Sequence, residues 1–145
     1  MLAYLLDDLI VFTIANPRFI TPNNIMLLLR AVSMFGIASI GMTFVILLGD
    51  IDLSIGTIIS FVNIFCAYLM VNMGVNMWLA ILITMIASVA IGLLNGFMVS
   101  TIGMPALIAT FAVQTSFSGL TYIMCGGLPI NGFDERFKIS IILSF

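Results

Sequence analysis

The polar residues able to do chemistry gather in one stretch, Gly49-Asp-Ile-Asp-Leu-Ser-Ile-Gly56, set between two long apolar runs. Two readings fit these residue types at this spacing. In the first, the stretch is a helix junction: Gly49 ends one helix and Asp52 caps the next, accepting orphan N–H groups and complementing the positive end of the helix dipole. In the second, a helix is broken at mid-membrane, and Asp50, Asp52 and Ser54 touch a substrate or a coupling ion. Broken transporter helices leave short halves, whereas both apolar runs here look full-length, which favours the junction.

Two more polar side chains, Asn95 and Gln114, stand inside apolar runs, the latter flanked by Thr110 and Ser118 at helical spacing. Each could bind helices together by hydrogen bonds or line a polar path, and helix contact is the plainer account of any one of them. Arg30 sits close enough to the start of its run to reach the interface by snorkelling. A nucleophile with its base, a working carboxylate pair, a metal cluster or a phosphate loop cannot be assembled, and histidine is absent. No catalytic or metal-binding residue is therefore assigned. Cys66 and Cys125, far apart and each within an apolar run, are expected to act as small hydrophobes.

The elements that position these residues follow from composition. Hydrophobic residues make up 63% of the 145-residue chain and charged ones 7%, against about 25% charged in an ordinary soluble domain. So few charges cannot cover a surface facing water, and lipid is the expected solvent. The net charge of −2 and the lack of a basic patch leave no footprint for nucleic acid.

Four runs are long enough to cross a bilayer core of about 30 Å: residues 25–48, 53–73, 77–102 and 105–125, or roughly 36, 31, 39 and 31 Å of helix. The expected fold is an all-α, polytopic transmembrane bundle, one domain over residues 1–145, with four full spans and truncated apolar segments at both ends. Asn16-Pro17, Thr21-Pro22, Gly74, Gly103-Met-Pro105 and Gly126-Gly127 punctuate it. Residues 1–15 would reach only roughly 22 Å and carry Asp7 and Asp8, so they read as the tail of a span or as an interfacial segment, and not as a secretory signal. Ile139–Phe145 opens another apolar run. Both ends read as parts of a larger protein.

On the third run Ala80, Thr84, Ser88, Gly92, Gly96 and Ser100 put a small residue at every fourth position. Such a line lets helix backbones approach closely, and Gly92 with Gly96 forms a GxxxG pair. It predicts a packing surface and says little about function.

Gly41-Met-Thr-Phe-Val-Ile-Leu-Leu-Gly-Asp-Ile-Asp-Leu-Ser-Ile-Gly56 resembles the signature of the permease subunits of bacterial ATP-binding-cassette sugar importers, in the ribose, xylose, arabinose and galactose branch. Phe19–Ile25, the Asn-Gly within Gly92–Val99, Met104–Thr110 and Gly126–Ile130 follow in the family's order, so the resemblance covers about Pro17 to Asn131. It implies a multi-pass protein of the bacterial inner membrane. Such a subunit forms a translocation pathway with a second permease subunit and receives a monosaccharide from a periplasmic binding protein. ATP would be used by separate ATPase subunits, so the resemblance implies no cofactor and no enzyme activity in this chain.

The sequence departs from the family at Asp50, usually a small residue, at Ser118, often Arg before Gly, and at Arg30, often Gln. It resembles only the N-terminal half of a chain about twice as long. The family places the N-terminus in the cytoplasm and the 127–138 loop in the periplasm, while the few basic residues point the opposite way. Two other functions fit the residues: a truncated, non-transporting remnant, or a small self-contained transporter or channel-like oligomer that dimerises through the Ala80–Ser100 line.

Overall fold

The computed structural model describes residues 2–132, and every regular element among them is helical. In chain order these are α1 (Leu2–Ala15), a 3-10 turn (Pro17–Ile20), α2 (Pro22–Leu47), α3 (Ile55–Val71), α4 (Met77–Ser100) and α5 (Ala106–Cys125). The apolar run at Ile139–Phe145 and the charged residues 134–138 lie outside the described residues. The chain divides between Phe44 and Val45 into two units.

In the first unit, Asn16 organises the turn after α1 by accepting the Arg18 N–H at 3.0 Å. The Phe12 and Phe19 rings meet across that turn with centroids 5.7 Å apart. Pro22 then opens α2, where a missing N–H costs nothing. The expected start at Ile25 moves to Pro22 because the Thr21 carbonyl accepts the Ile25 N–H at 3.0 Å and draws the Asn pair into the first turn. Asn24 donates back to the Phe19 carbonyl at 2.7 Å. No residue of α2 is buried, and its 26 residues are long and apolar enough to cross a membrane.

The second unit packs α3, α4 and α5 against one another. Short connections make α4 antiparallel to both neighbours, which leaves α3 and α5 parallel: Leu53 lies by Thr110 at their starts and Phe61 by Phe117 further along. Their core is Phe61, Ile91 and Val113, with Phe65 stacked on Phe61 at 5.4 Å and the Phe117 edge against it at 5.0 Å. Ala80 and Ala109 have no exposed surface, and small side chains at such points let helix axes approach closely.

Of the four expected spans, three survive as helices long and apolar enough to cross: Pro22–Leu47, Met77–Ser100 and Ala106–Cys125. The run expected over 53–73 does not. Its helix holds 17 residues, Ile55–Val71, or roughly 25 Å. Local bonding in the preceding segment diverts the backbone from the helix, as described next.

Candidate functional site

Gly49 ends α2 as the junction reading requires. At φ +83° it takes the left-handed conformation that only glycine adopts freely. The Asp50 N–H reaches the Val45 carbonyl at 3.2 Å and the Gly49 N–H the Ile46 carbonyl at 2.9 Å, which together close a Schellman motif. Asp52, however, does not cap α3 as expected. Its Oδ1 accepts both the Ser54 N–H at 2.7 Å and the Ser54 hydroxyl at 2.6 Å, two residues on. Ser54 is the N-cap and gives no side-chain bond to the helix. Its hydroxyl is already spent on Asp52.

Residues 50–54 are held non-helical by two further links. The Leu53 N–H donates to Thr110 Oγ1 of α5 at 3.2 Å. Asn95 of α4 donates its amide to Ser54 Oγ at 2.8 Å, with Ser54 fully buried and Asn95 nearly so. Proton bookkeeping fixes this pair. The Ser54 hydrogen goes to Asp52, so Ser54 can only accept from Asn95, and the Asn95 oxygen faces away from the network. That oxygen is buried and has no partner among the described residues.

A cavity of about 230 Å³ lies beside this network, bounded by Asp50, Asp52, Asn95, Gly92, Gly96 and Thr110. Its polar side chains are mostly acceptors: the Asp50 and Asp52 carboxylates, the Asn95 oxygen, and Thr110, whose hydrogen goes to the Ala106 carbonyl at 2.8 Å. The second hydrogen of the Asn95 amide is the side-chain donor left over. Among the described residues no group of three or more His, Cys, Asp or Glu could hold a metal ion.

The line of small residues on α4 divides. Ala80 and Thr84 are buried and Ser88 is half-buried, whereas Gly92, Gly96 and Ser100 are exposed. A step of four residues turns about 40° around the helix, so the line winds off the packed face. The buried face instead follows Ala80, Thr84, Ile91 and Asn95. A Cβ built on Gly92 or Gly96 meets nothing within 4 Å.

Gln114 lies elsewhere, half-buried on α5, with Thr115, Ser118, Gly119 and Tyr122 along an open groove. Ser118 and Tyr122 also line a second groove of about 250 Å³ that adds Thr57, Ser60, Thr121 and Cys125. Gln114 and Ser118 are legible in the sequence as polar positions, whereas Thr57, Ser60, Thr121 and Tyr122 join them only through packing. Their signal was the spacing Thr57–Ser60 on one helix and Gln114–Ser118–Tyr122 on another. Both cysteines are free and half-buried.

Residues 24–142 match the family model described as branched-chain amino acid transport system / permease component. The chain belongs to this permease family. Among curated members, the chain is similar to the ribose import permease protein RbsC of Bacillus subtilis, 40% identical over 128 residues, covering 88% of this chain and 39% of that protein. The ribose import permease of Escherichia coli is 34% identical over 83% of this chain and 38% of its own length. The L-arabinose ABC transporter permease protein AraH of Azospirillum brasilense is 33% identical over 83% of this chain and 35% of its own length. The chain thus spans well under half the length of these permeases. No solved structure matches it.

Proposed function

We propose that this chain forms part of the transmembrane pathway of an ATP-driven monosaccharide importer in the bacterial inner membrane. The observation that carries the reading is the 40% identity to a ribose import permease over 88% of the chain. Among its partners are a cytoplasmic ATPase, which hydrolyses ATP, a second permease subunit, and a periplasmic sugar-binding protein. The chain itself binds no cofactor and catalyses no reaction.

Residues 1–145 act as one transmembrane domain with four crossings. Three are α2, α4 and α5. The fourth is α3, whose 17 helical residues supply roughly 25 Å, together with its non-helical lead-in at residues 50–54. Asp50, Asp52, Ser54 and Asn95 form the junction that holds this lead-in. Gly92, Gly96 and Ser100 pack against helices outside the 145 residues.

Expression in a bacterium lacking its own ribose permease but keeping the ATPase and binding protein tests the reading. Uptake of labelled ribose, arabinose or xylose is expected to return, and the ATPase is expected to co-purify. Full accumulation of the chain without uptake of any of the three, and without the ATPase, would refute it.

A further inference from the structure

The two recesses of the second unit differ in what they can bind. The one beside Asn95 is rich in acceptors, with one remaining amide hydrogen of Asn95 as its side-chain donor, and its remaining wall is Val45, Leu48, Ile51, Val99 and Ala106. A sugar's several hydroxyls both donate and accept, and their accepting sides would share a single side-chain donor there. The groove between α3 and α5 is the opposite case. Thr57, Ser60, Ser118, Thr121 and Tyr122 bring five hydroxyls to it, and Gln114 adds an amide on the adjoining stretch of α5.

Ser60 and Thr121 spend their hydrogens on carbonyls of their own helices, Gly56 at 3.1 Å and Phe117 at 2.7 Å, and keep lone pairs for a ligand. The side chains of Thr57, Gln114, Ser118 and the Tyr122 hydroxyl make no hydrogen bond with other described residues. They offer donors and acceptors together. Ser118 and Tyr122 are exposed. Unpaired polar groups facing hydrocarbon are unfavourable, so this face does not face acyl chains.

We infer that the α3–α5 groove is where this chain meets the transported polyhydroxylated ligand, with Thr57, Gln114, Ser118 and Tyr122 exchanging hydrogen bonds with its hydroxyls. The inference rests on the proposed sugar-import reading. Gly127, whose φ of +73° favours glycine, lies against one of these side chains: a Cβ there would lie 2.7 Å from Cε2 of Tyr122.

The test is thiol protection in the complete transporter. In a Cys66→Ala, Cys125→Ala background, Ser118→Cys is treated in native membranes with a water-soluble methanethiosulfonate reagent, with and without ribose delivered by the binding protein. Modification that ribose slows is the expected result. Absence of modification, or modification at the same rate with ribose present, overturns the inference. Should Ser118→Cys not accumulate, Thr121→Cys on the same groove reads out the same way. Uptake by the unsubstituted transporter separates the two levels. Import of ribose by that transporter, with the groove thiol modified at the same rate with and without ribose, defeats this inference alone, and an unsubstituted transporter that imports no sugar defeats the reading beneath it.

Discussion

The Asn95 amide donates to the Ser54 hydroxyl oxygen across 41 residues of sequence, at 2.8 Å and out of reach of solvent. This one bond joins the middle of α4's last third to the start of α3, and through Ser54 it extends to Asp52. A hydrogen-bonded side-chain network in a setting of low dielectric is worth more than its members taken singly.

Cutting that network from either end is expected to destabilise the protein. Ser54→Ala leaves the Asn95 amide unpaired, and Asn95→Leu leaves Ser54 short of a donor. Each is expected to cost about 1–3 kcal/mol. The double variant Ser54→Ala/Asn95→Leu should lose less than the two singles added. Denaturation of the purified protein in detergent measures all three, and additive losses would show that the bond carries no coupling.

Thr110 separates shape from bonding. Thr110→Val keeps the volume but strands the Leu53 N–H, at an expected cost of about 1–3 kcal/mol. Thr110→Ser keeps the hydroxyl and is expected to lose markedly less. Equal stability of the Val and Ser variants in the same denaturation assay would rule out a role for the Leu53–Thr110 bond.

Gly127→Ala is expected to disturb the α5 end twice over, through its φ of +73° and through the 2.7 Å approach to the Tyr122 ring. The left-handed conformation alone costs about 1–2 kcal/mol for a residue with a Cβ. Adding Tyr122→Ala should recover the steric part and leave the conformational part. A double variant no more stable than Gly127→Ala would place the whole effect in the backbone.

Alkaline carbonate washing tests the solvent. With 0% of the α2 window buried and 17% of the windows in α4 and α5, the chain should stay in the membrane pellet. Release into the supernatant would show that these helices do not live in lipid.

Hydropathy made α4 and α5 legible because apolar length and the punctuating Gly103 and Pro105 act locally. The same reasoning overran α3. Leu53 counts as apolar, yet its N–H is taken by Thr110, 57 residues away, and a residue count carries no record of such a bond. Asp52 reads in sequence as a helix cap, but its nearest donors are those of Ser54 and not those of the first helical turn. The four-residue line on α4 was visible, but a period of 4 on a helix of 3.6 winds away from any straight seam. Gln114 could be picked out as polar. The hydroxyls that join it came from α3, and only packing brings the two helices side by side.

The parallel pairing of α3 with α5 has a consequence for biosynthesis. During synthesis α3 leaves the ribosome well before its partner, and the Leu53–Thr110 contact cannot close until α5 follows. Until then a helix of 17 residues must wait in the insertion machinery packed on α4 but without the bond at its start. In chain stalled ahead of Thr110, α2 and α4 are already long and apolar enough to hold in the membrane while α3 alone should remain unanchored at its start, and in chain stalled well past Cys125 it should not.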